Sequence, residues 1–350
     1  MPKRVLHVML NSEKGGIEEC FRHYNIALSD FCEVISVVRG RLPNKEFLTD
    51  KSKELIALNE NFGFLSVMLH IRSIIKKHKI DLIIAHGSRA VDAVQFGAMC
   101  LNIKRISVRH AFFSSKLSAF KWRFQSDVQI TVNKSIASDI GGKKTNVVYN
   151  IVGCDTPNNI NIIEKLTDLN RPIRIGFLGR IVRYKGPQFL VKAFGLLTHK
   201  YKNKIELIIG GDGKYLNVLK KLVFFHGLND HVKFCGYVED KQRFFEDMDI
   251  LCVPSLKEAF GLVLIESMAH GVPVIASDIP GINEVISHNE NGILFNPGDH
   301  HKLADKLEEL IVDDEKRLRI IQRGLRDVKE FYNINRLRGD LQRIIDNISY

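Results

Sequence analysis

Short apolar runs alternate with longer amphipathic stretches along most of this 350-residue chain. In the first half, Val5–Leu10, Glu33–Val38, Asp81–Ala85, Arg105–Val108, Gln129–Val132 and Asn146–Tyr149 read as strands. In the second half, Ile173–Leu178, Ile205–Ile209, Val232–Cys235, Asp249–Val253 and Val274–Ala276 do the same. Such runs are largely apolar, which suits buried strands. Helical periodicity fills the gaps: a stretch ending near Ser29, Leu65–His78, Val91–Cys100, Gln188–Leu197 behind Pro187, and Leu262–His270. Gly271 stands where a helix-ending glycine belongs, with Pro273 just beyond. In Leu65–His78 the apolar positions are Leu65, Met68, Leu69, Ile71, Ile74 and Ile75. Arg39–Glu60 shows neither period and reads as a mixed connection. Ala304–Asp313, Glu315–Phe331 and Leu337–Ile348 close the chain as helices. Strands alternating with helices predict an α/β protein with parallel sheets.

The length suits two domains, each with its own core. The expected partition is residues 1–155, an Asn- and charge-rich linker at 156–172, a second domain at 173–330, and a terminal segment at 331–350. Apolar residues make up 45% and charged ones 26%, the balance of a soluble globular protein. No apolar run reaches the ~18 residues of a spanning helix. MPKRVLHVML reads as a first strand rather than a signal peptide. The six cysteines are scattered without a CxxC pair, which suggests free thiols in a reducing cytosol.

Of the net charge of +11, residues 1–150 carry +10. A basic half suits an anionic partner: an acidic substrate, an anionic membrane surface or nucleic acid. Without a zinc knuckle, RNP motif or helix-turn-helix, nucleic acid is not expected. The segment AFFSSKLSAFKWRFQSD, Ala111–Asp127, interleaves aromatics with Lys116, Lys121 and Arg123. It is either a helix packed on its own domain or an acceptor- or membrane-facing surface.

The densest chemistry lies in PSLKEAFGLVLIESMAHGVPVIASDIPGINE, Pro254–Glu284. A helix starting near Phe260 or Gly261 offers first-turn N–H groups to an anion, and glycine lets a diphosphate approach. Two carboxylates, Glu258 and Glu266, flank that place. Repulsion disfavours them as phosphate ligands, so their natural partners are hydroxyls of a sugar and a ribose. On one helix they would stand about 80° apart; Glu258 is therefore expected in the loop and Glu266 in the helix. Arg180 and Lys185 end a strand just before a helix and suit a diphosphate, one as a fork and one as a point charge. Gly15-Gly16 can bring amides to phosphate or can be a plain tight turn. Gly210-Gly211-Asp212-Gly213 is a weak signal of the same kind. His86 and Arg109-His110 end strands, where α/β proteins place ligands, although structural histidines fit that spacing equally well. Asp247-Met248-Asp249 imitates a metal motif, but it precedes a strand and reads as structural, and no other cluster has metal-ligand spacing.

Glu258-x7-Glu266 within EAFGLVLIESMAHGVPVIAS, followed by SDIPGINEVI and NGILFNPGD, resembles the family-four retaining glycosyltransferases of the GT-B fold. Gly179-Arg180 with Lys185-Gly186 resembles a second motif of that family, and Gly15-Gly16-Ile17-Glu18 its donor-facing glycine loop. Asn150-Ile151-Val152-Gly153-Cys154-Asp155 resembles its interdomain turn with two extra residues. The resemblance implies two Rossmann-like domains facing across a cleft, with the terminal helix returning to the first. It implies transfer of a hexose from a nucleoside-diphosphate sugar, UDP-sugar favoured, to a glycan or lipid-linked saccharide, with retention and with no metal or other cofactor.

By the same resemblance, Arg180, Lys185 and the amides near Gly16 and Gly261-Leu262-Val263 would neutralise the leaving diphosphate. Glu266 would grip the ribose and Glu258 the donor sugar. Phe260 and Gly211 would line the nucleotide site, and Gly236-Tyr237-Val238 would meet the base through backbone atoms. His110 would face the reacting sugar, with His86 and Arg109 nearer the acceptor. The implied setting is cytoplasmic polysaccharide or glycolipid synthesis with peripheral contact to an anionic membrane. A catalytically silent GT-B protein that binds a nucleotide or glycan stays open as the other reading.

Overall fold

A computed structural model describes residues 2–10, 16–40, 52–142, 144–153 and 171–348. Gly15, Cys154-Asp155 at the end of the expected interdomain turn, and the stretch 156–170 fall outside that set. The chain divides into two compact units, Met1–Gly153 with Tyr332–Tyr350, and Cys154–Phe331.

The first unit holds β1 (Lys3–Met9), β2 (Cys32–Arg39), β3 (Glu54–Leu58), β4 (Leu82–His86), β5 (Lys104–Arg109), β6 (Val128–Thr131) and β7 (Thr145–Val147). They form one parallel sheet in the order β3-β2-β1-β4-β5-β6-β7. The winding reverses between β1 and β4, where Met9 pairs with His86. Such a reversal opens a crevice at the strands' carboxyl ends, because the flanking crossovers leave on opposite faces. Helix Gly16–Ser29 covers one face with Phe21, Tyr24, Ala27 and Leu28. Helix Ile334–Ile348 joins the same core through Leu337, Leu341, Ile344 and Ile345. Tyr332 O accepts from Val152 N–H at 3.1 Å, and Arg338 pairs with Asp30.

The second unit holds β8 (Ile173–Leu178), β9 (Ile205–Gly210), β10 (Val232–Gly236), β11 (Ile250–Val253), β12 (Val274–Ser277) and β13 (Ile293–Phe295). Their order is β10-β9-β8-β11-β12-β13, again parallel, with the reversal between β8 and β11. Ile175, Phe177, Leu207, Ile209, Ile250 and Cys252 join Phe194 and Leu307 in its core. Asp249 is structural: its carboxylate accepts two guanidinium N–H groups of Arg171 at 2.7 Å and the Arg174 N–H at 2.8 Å. Asp247 ends the helix Lys241–Glu246.

Several elements depart from the sequence reading. β3 occupies the supposed mixed connection; its apolar run, Leu55–Leu58, is only four residues long, and as a sheet-edge strand it buries only Leu58. The helix Phe64–His78 buries Val67, Ile71, Ile74 and Ile75 and leaves Leu65 and Leu69 exposed. Its stripe is rotated because positions 67, 71, 74 and 75 share one face. The next helix starts at Gly87, earlier than Val91, and ends at Gly97. Within Ala111–Asp127 only Lys116–Trp122 is helical, closed at its start by a Ser115–Ser118 capping box. Its Ala119 and Trp122 are buried, whereas Leu117, Phe120 and the following Phe124 are exposed. Of the described cysteines, Cys20, Cys32 and Cys252 are buried, and Cys100 and Cys235 are exposed.

Gly186 lies between the 3-10 turn Arg183–Lys185 and the helix Pro187–Tyr201, at φ +75°. A Cβ there would stand 1.8 Å from the Pro254 carbonyl oxygen. Gly186→Ala is therefore expected to lower the unfolding free energy by more than ~1 kcal/mol. Urea unfolding checks this; an unchanged midpoint would mean that the two loops do not pack this closely.

Candidate active site

In the second unit, the loops after β8, β9 and β11 are tied together by their backbones. Gly179 N–H donates to Gly210 O at 3.1 Å, and Ile181 N–H to Asp212 O at 2.8 Å. Leu256 N–H donates to Tyr184 O at 2.7 Å, which holds the loop after β11 against the turn Arg183–Lys185. That contact brings together residues 73 apart in sequence: Lys185 Nζ pairs with the Glu258 carboxylate. Both side chains are largely buried, at 20% and 12% exposure. An ammonium has three donors, so Glu258 fixes Lys185 in place and leaves donors for an anion. Arg180, just beyond β8, donates to the Tyr184 hydroxyl at 2.8 Å.

Glu258 stands in the loop, and Glu266 lies in the helix Leu262–Ala269. Gly261 turns the chain into that helix at φ +82°, where a Cβ would stand 2.8 Å from Leu264 Cδ1. Leu264 N–H returns to Gly261 O at 2.9 Å. The earlier first-turn amides, those of Leu262 and Val263, have no acceptor inside the helix and face its amino end with the positive end of the dipole. Phe260 corrects the sequence reading in part: its side chain is 2% exposed and belongs to the core, so only its main chain can meet a ligand. Gly211 is similar, because its amide already donates to Gly236 O at 2.6 Å. Val238 packs over Gly210, where a Cβ would stand 2.8 Å from Val238 Cγ2.

Sequence reasoning missed Lys241. Its Nζ donates to Glu266 Oε1 at 2.6 Å and holds a carboxylate that is 14% exposed. A single lysine opening a short polar helix carries no signal of this; only the fold brings it to Glu266. Among the described residues, no group of three His, Cys, Asp or Glu side chains is placed to hold a metal ion.

In the first unit, Gly16 is the exposed first residue of the helix that follows β1. The same unit holds a chain of largely buried side chains. His7 Nδ1 meets Asn25 Oδ1 at 2.6 Å, and Ser36 Oγ donates to the same oxygen at 2.9 Å. His7 Nε2 meets His86 Nε2 at 2.8 Å, and His86 Nδ1 meets His110 Nε2 at 2.8 Å. Phe21 stacks on His7, with ring centroids 3.9 Å apart, and Tyr24 meets His86 edge-on.

Burial pulls His7 down to about 3, against a partial rise from its bond to Asn25. It pulls His86 well below its ordinary value, with His7 and His110 adding to the effect. Burial, then the Arg109 charge, lowers His110 to about 4. His86 corrects a second expectation: it is fully buried with both ring nitrogens engaged, so it does not reach an acceptor. Arg109 corrects a third. Its guanidinium donates to Ala111 O, Ser88 Oγ and Phe112 O and lies over the Phe113 ring, so it braces the following loop.

Residues 158–327 match the family described as Glycosyl transferases group 1. An uncharacterised glycosyltransferase of Haemophilus influenzae is 26% identical over 84% of this chain and 86% of its own length. The lipopolysaccharide core biosynthesis glycosyltransferase LpsE of Rhizobium meliloti is 26% identical, over 89% of each chain. Among solved structures, Anabaena HepE in complex with UDP and glucose superposes with a TM-score of 0.85 at 20% identity, covering 99% of this chain and 100% of HepE. That likeness establishes the GT-B fold.

The histidine chain has a pH consequence. Each ring has an ordinary value of 6.5 and a lower one when folded. Between those values the unfolded chain binds more protons, so stability rises with pH. The contribution is complete above 6.5 and is lost as pH falls toward the folded values of about 4 and about 3. The urea midpoint should therefore drop on acidification through that window, and His86→Gln should flatten the drop. Identical slopes for the two proteins would remove the histidines as its cause.

Proposed function

We infer a retaining, metal-independent glycosyltransferase, from the match of residues 158–327 to the group 1 family and the likeness to named glycosyltransferases over most of the chain. It moves a hexose from a UDP-sugar to a glycan or lipid-linked saccharide. The observation that carries this is the Lys185–Glu258 pair, set among Arg180, the first turn of Leu262–Ala269 and Glu266. These groups supply two cations and a helix amino end for a diphosphate, and two carboxylates for hydroxyls.

Departure of the diphosphate concentrates negative charge at its oxygens. Lys185, Arg180 and the first-turn amides stabilise that charge in place, without reorganising as it develops. In this reading they take the part that a divalent cation plays in other transferases. Glu266, held by Lys241, grips the ribose hydroxyls with its remaining oxygen. Glu258 orients the donor sugar while anchoring Lys185. In the first unit, His110 is the residue that meets a sugar hydroxyl. The complex of HepE with UDP and glucose supports the choice of base, and the role of LpsE in lipopolysaccharide core synthesis supports a saccharide acceptor. The +10 carried by residues 1–150 suits an acceptor that is anionic or lies on an anionic surface.

Thermal unfolding with UDP, GDP or ADP tests the donor site. UDP at ~100 times its Kd should add about 2.7 kcal/mol to the wild type. That gain should vanish in Glu266→Ala. No shift with any nucleotide would favour a silent relative. Lys185→Ala should lower kcat/KM at least tenfold, about 1.4 kcal/mol. Turnover should persist in EDTA; its loss there, restored by added Mg²⁺, would overturn the metal-independent reading.

A further inference from the structure

The row of side chains that ends at His110 has a direction. An imidazole that is neutral carries one proton, so each nitrogen–nitrogen contact needs one donor and one acceptor. Asn25 Oδ1 is an acceptor only, and it faces His7 Nδ1. The His7 proton therefore sits on Nδ1, and its Nε2 is a lone pair. His86 must donate from Nε2 to His7, which leaves His86 Nδ1 as a lone pair. His110 must in turn donate from Nε2 to His86. The last nitrogen, His110 Nδ1, is then a lone pair as well. That atom is buried and has no hydrogen-bond partner among the described residues. An unsatisfied buried acceptor is costly, and the cost is recovered when a ligand donates to it.

We propose that Asn25, His7 and His86 are positioning residues that hold His110 in one neutral tautomer, with its unpartnered Nδ1 lone pair available to a sugar hydroxyl. The sugar contact rests on the functional reading above; the tautomer does not. The chain's geometry comes from the fold. His7 and His86 sit on β1 and β4, neighbours at the point where the strand order reverses, and His110 follows β5, the next strand. Asn25 reaches the row from the covering helix, and Ser36 from β2. An amide that presented nitrogen to His7 would reverse all three protons together and convert His110 Nδ1 into a donor. The orientation of one asparagine thus decides whether the site accepts or donates a hydrogen bond. It also excludes His110 as a general acid, because its proton points inward to His86.

The ring nitrogens of uniformly ¹⁵N-labelled full-length protein report this directly, with His7→Gln, His86→Gln and His110→Gln used for assignment. At neutral pH the wild type should show His7 protonated at Nδ1, and His86 and His110 at Nε2. A His110 proton on Nδ1, or a charged ring, overturns the proposal without involving any substrate. Asn25→Leu, of similar size but without an acceptor, should give His110 a mixed tautomer. It should also lower kcat/KM for transfer by roughly tenfold or more while UDP still raises the midpoint. A mixed tautomer with unchanged kcat/KM would overturn the sugar contact. Should Asn25→Leu not fold, the wild-type spectrum still decides the tautomer. Absence of UDP binding by wild type would count against the donor assignment alone.

Discussion

A parallel strand can be followed by another in the same sheet only if the chain crosses back over one face. Every crossover begins at the carboxyl edge. In each unit this constraint delivers the loops after successive strands to a single edge, and the reversal of winding splits them around a crevice. The central strands are largely buried, and their polar side chains are mostly at strand ends or tied to neighbours within the sheet. What remains for chemistry is the loop that follows each strand. Arg180, Gly211, Glu258 and His110 all occupy such places. The distance along the chain between Lys185 and Glu258 loses its importance once β8 and β11 lie side by side.

His7 is the exception. It lies inside β1, fully buried, where a hydrophobic residue would be expected. Burial of an unpaired imidazole is costly, so the site must satisfy its nitrogens. Asn25 and His86 do so, and the need passes along the row to His110. The low values of all three rings follow from the same burial. A neutral, directional chain is cheaper to bury than a charged one. Only its last atom stays unsatisfied, and it does so at the edge where the sheet presents its ligand-facing loops.

The ion pairs of the second unit play a different part. A largely buried pair contributes little net stability once desolvation is counted. Lys185–Glu258 and Lys241–Glu266 are better understood as preorganisation: each fixes a long side chain whose freedom would otherwise be lost on binding. Gly186 and Gly261 act similarly through the backbone. The first allows one loop to rest on the carbonyl of Pro254, and the second aims a helix amino end. The pieces that touch a ligand in the proposed mechanism are thus each held by a neighbour that does not.

The alternation of apolar runs with amphipathic stretches was enough to announce two parallel-sheet α/β units, because buried strands must be largely apolar. The glycines, cations and carboxylates of Gly179–Gly186 and Pro254–Glu284 were legible for a similar reason. Each depends on neighbours close in sequence: a strand end, a turn and a helix start. β3 did not stand out, because its apolar run, Leu55–Leu58, is only four residues long and stands at the end of a long polar connection. Nor did the stripe of Phe64–His78, where two apolar faces competed and only the sheet chose between them. Lys241 beside Glu266, and His7, Asn25 and His86 behind His110, were beyond sequence reading for a deeper reason. Their meaning is a set of distances between elements 18 to 79 residues apart. Sequence alone fixed which groups end the strands. Strand order decided which of them touch, and therefore that His86 and Arg109 are engaged within the first unit while His110 Nδ1 is left without a partner among the described residues.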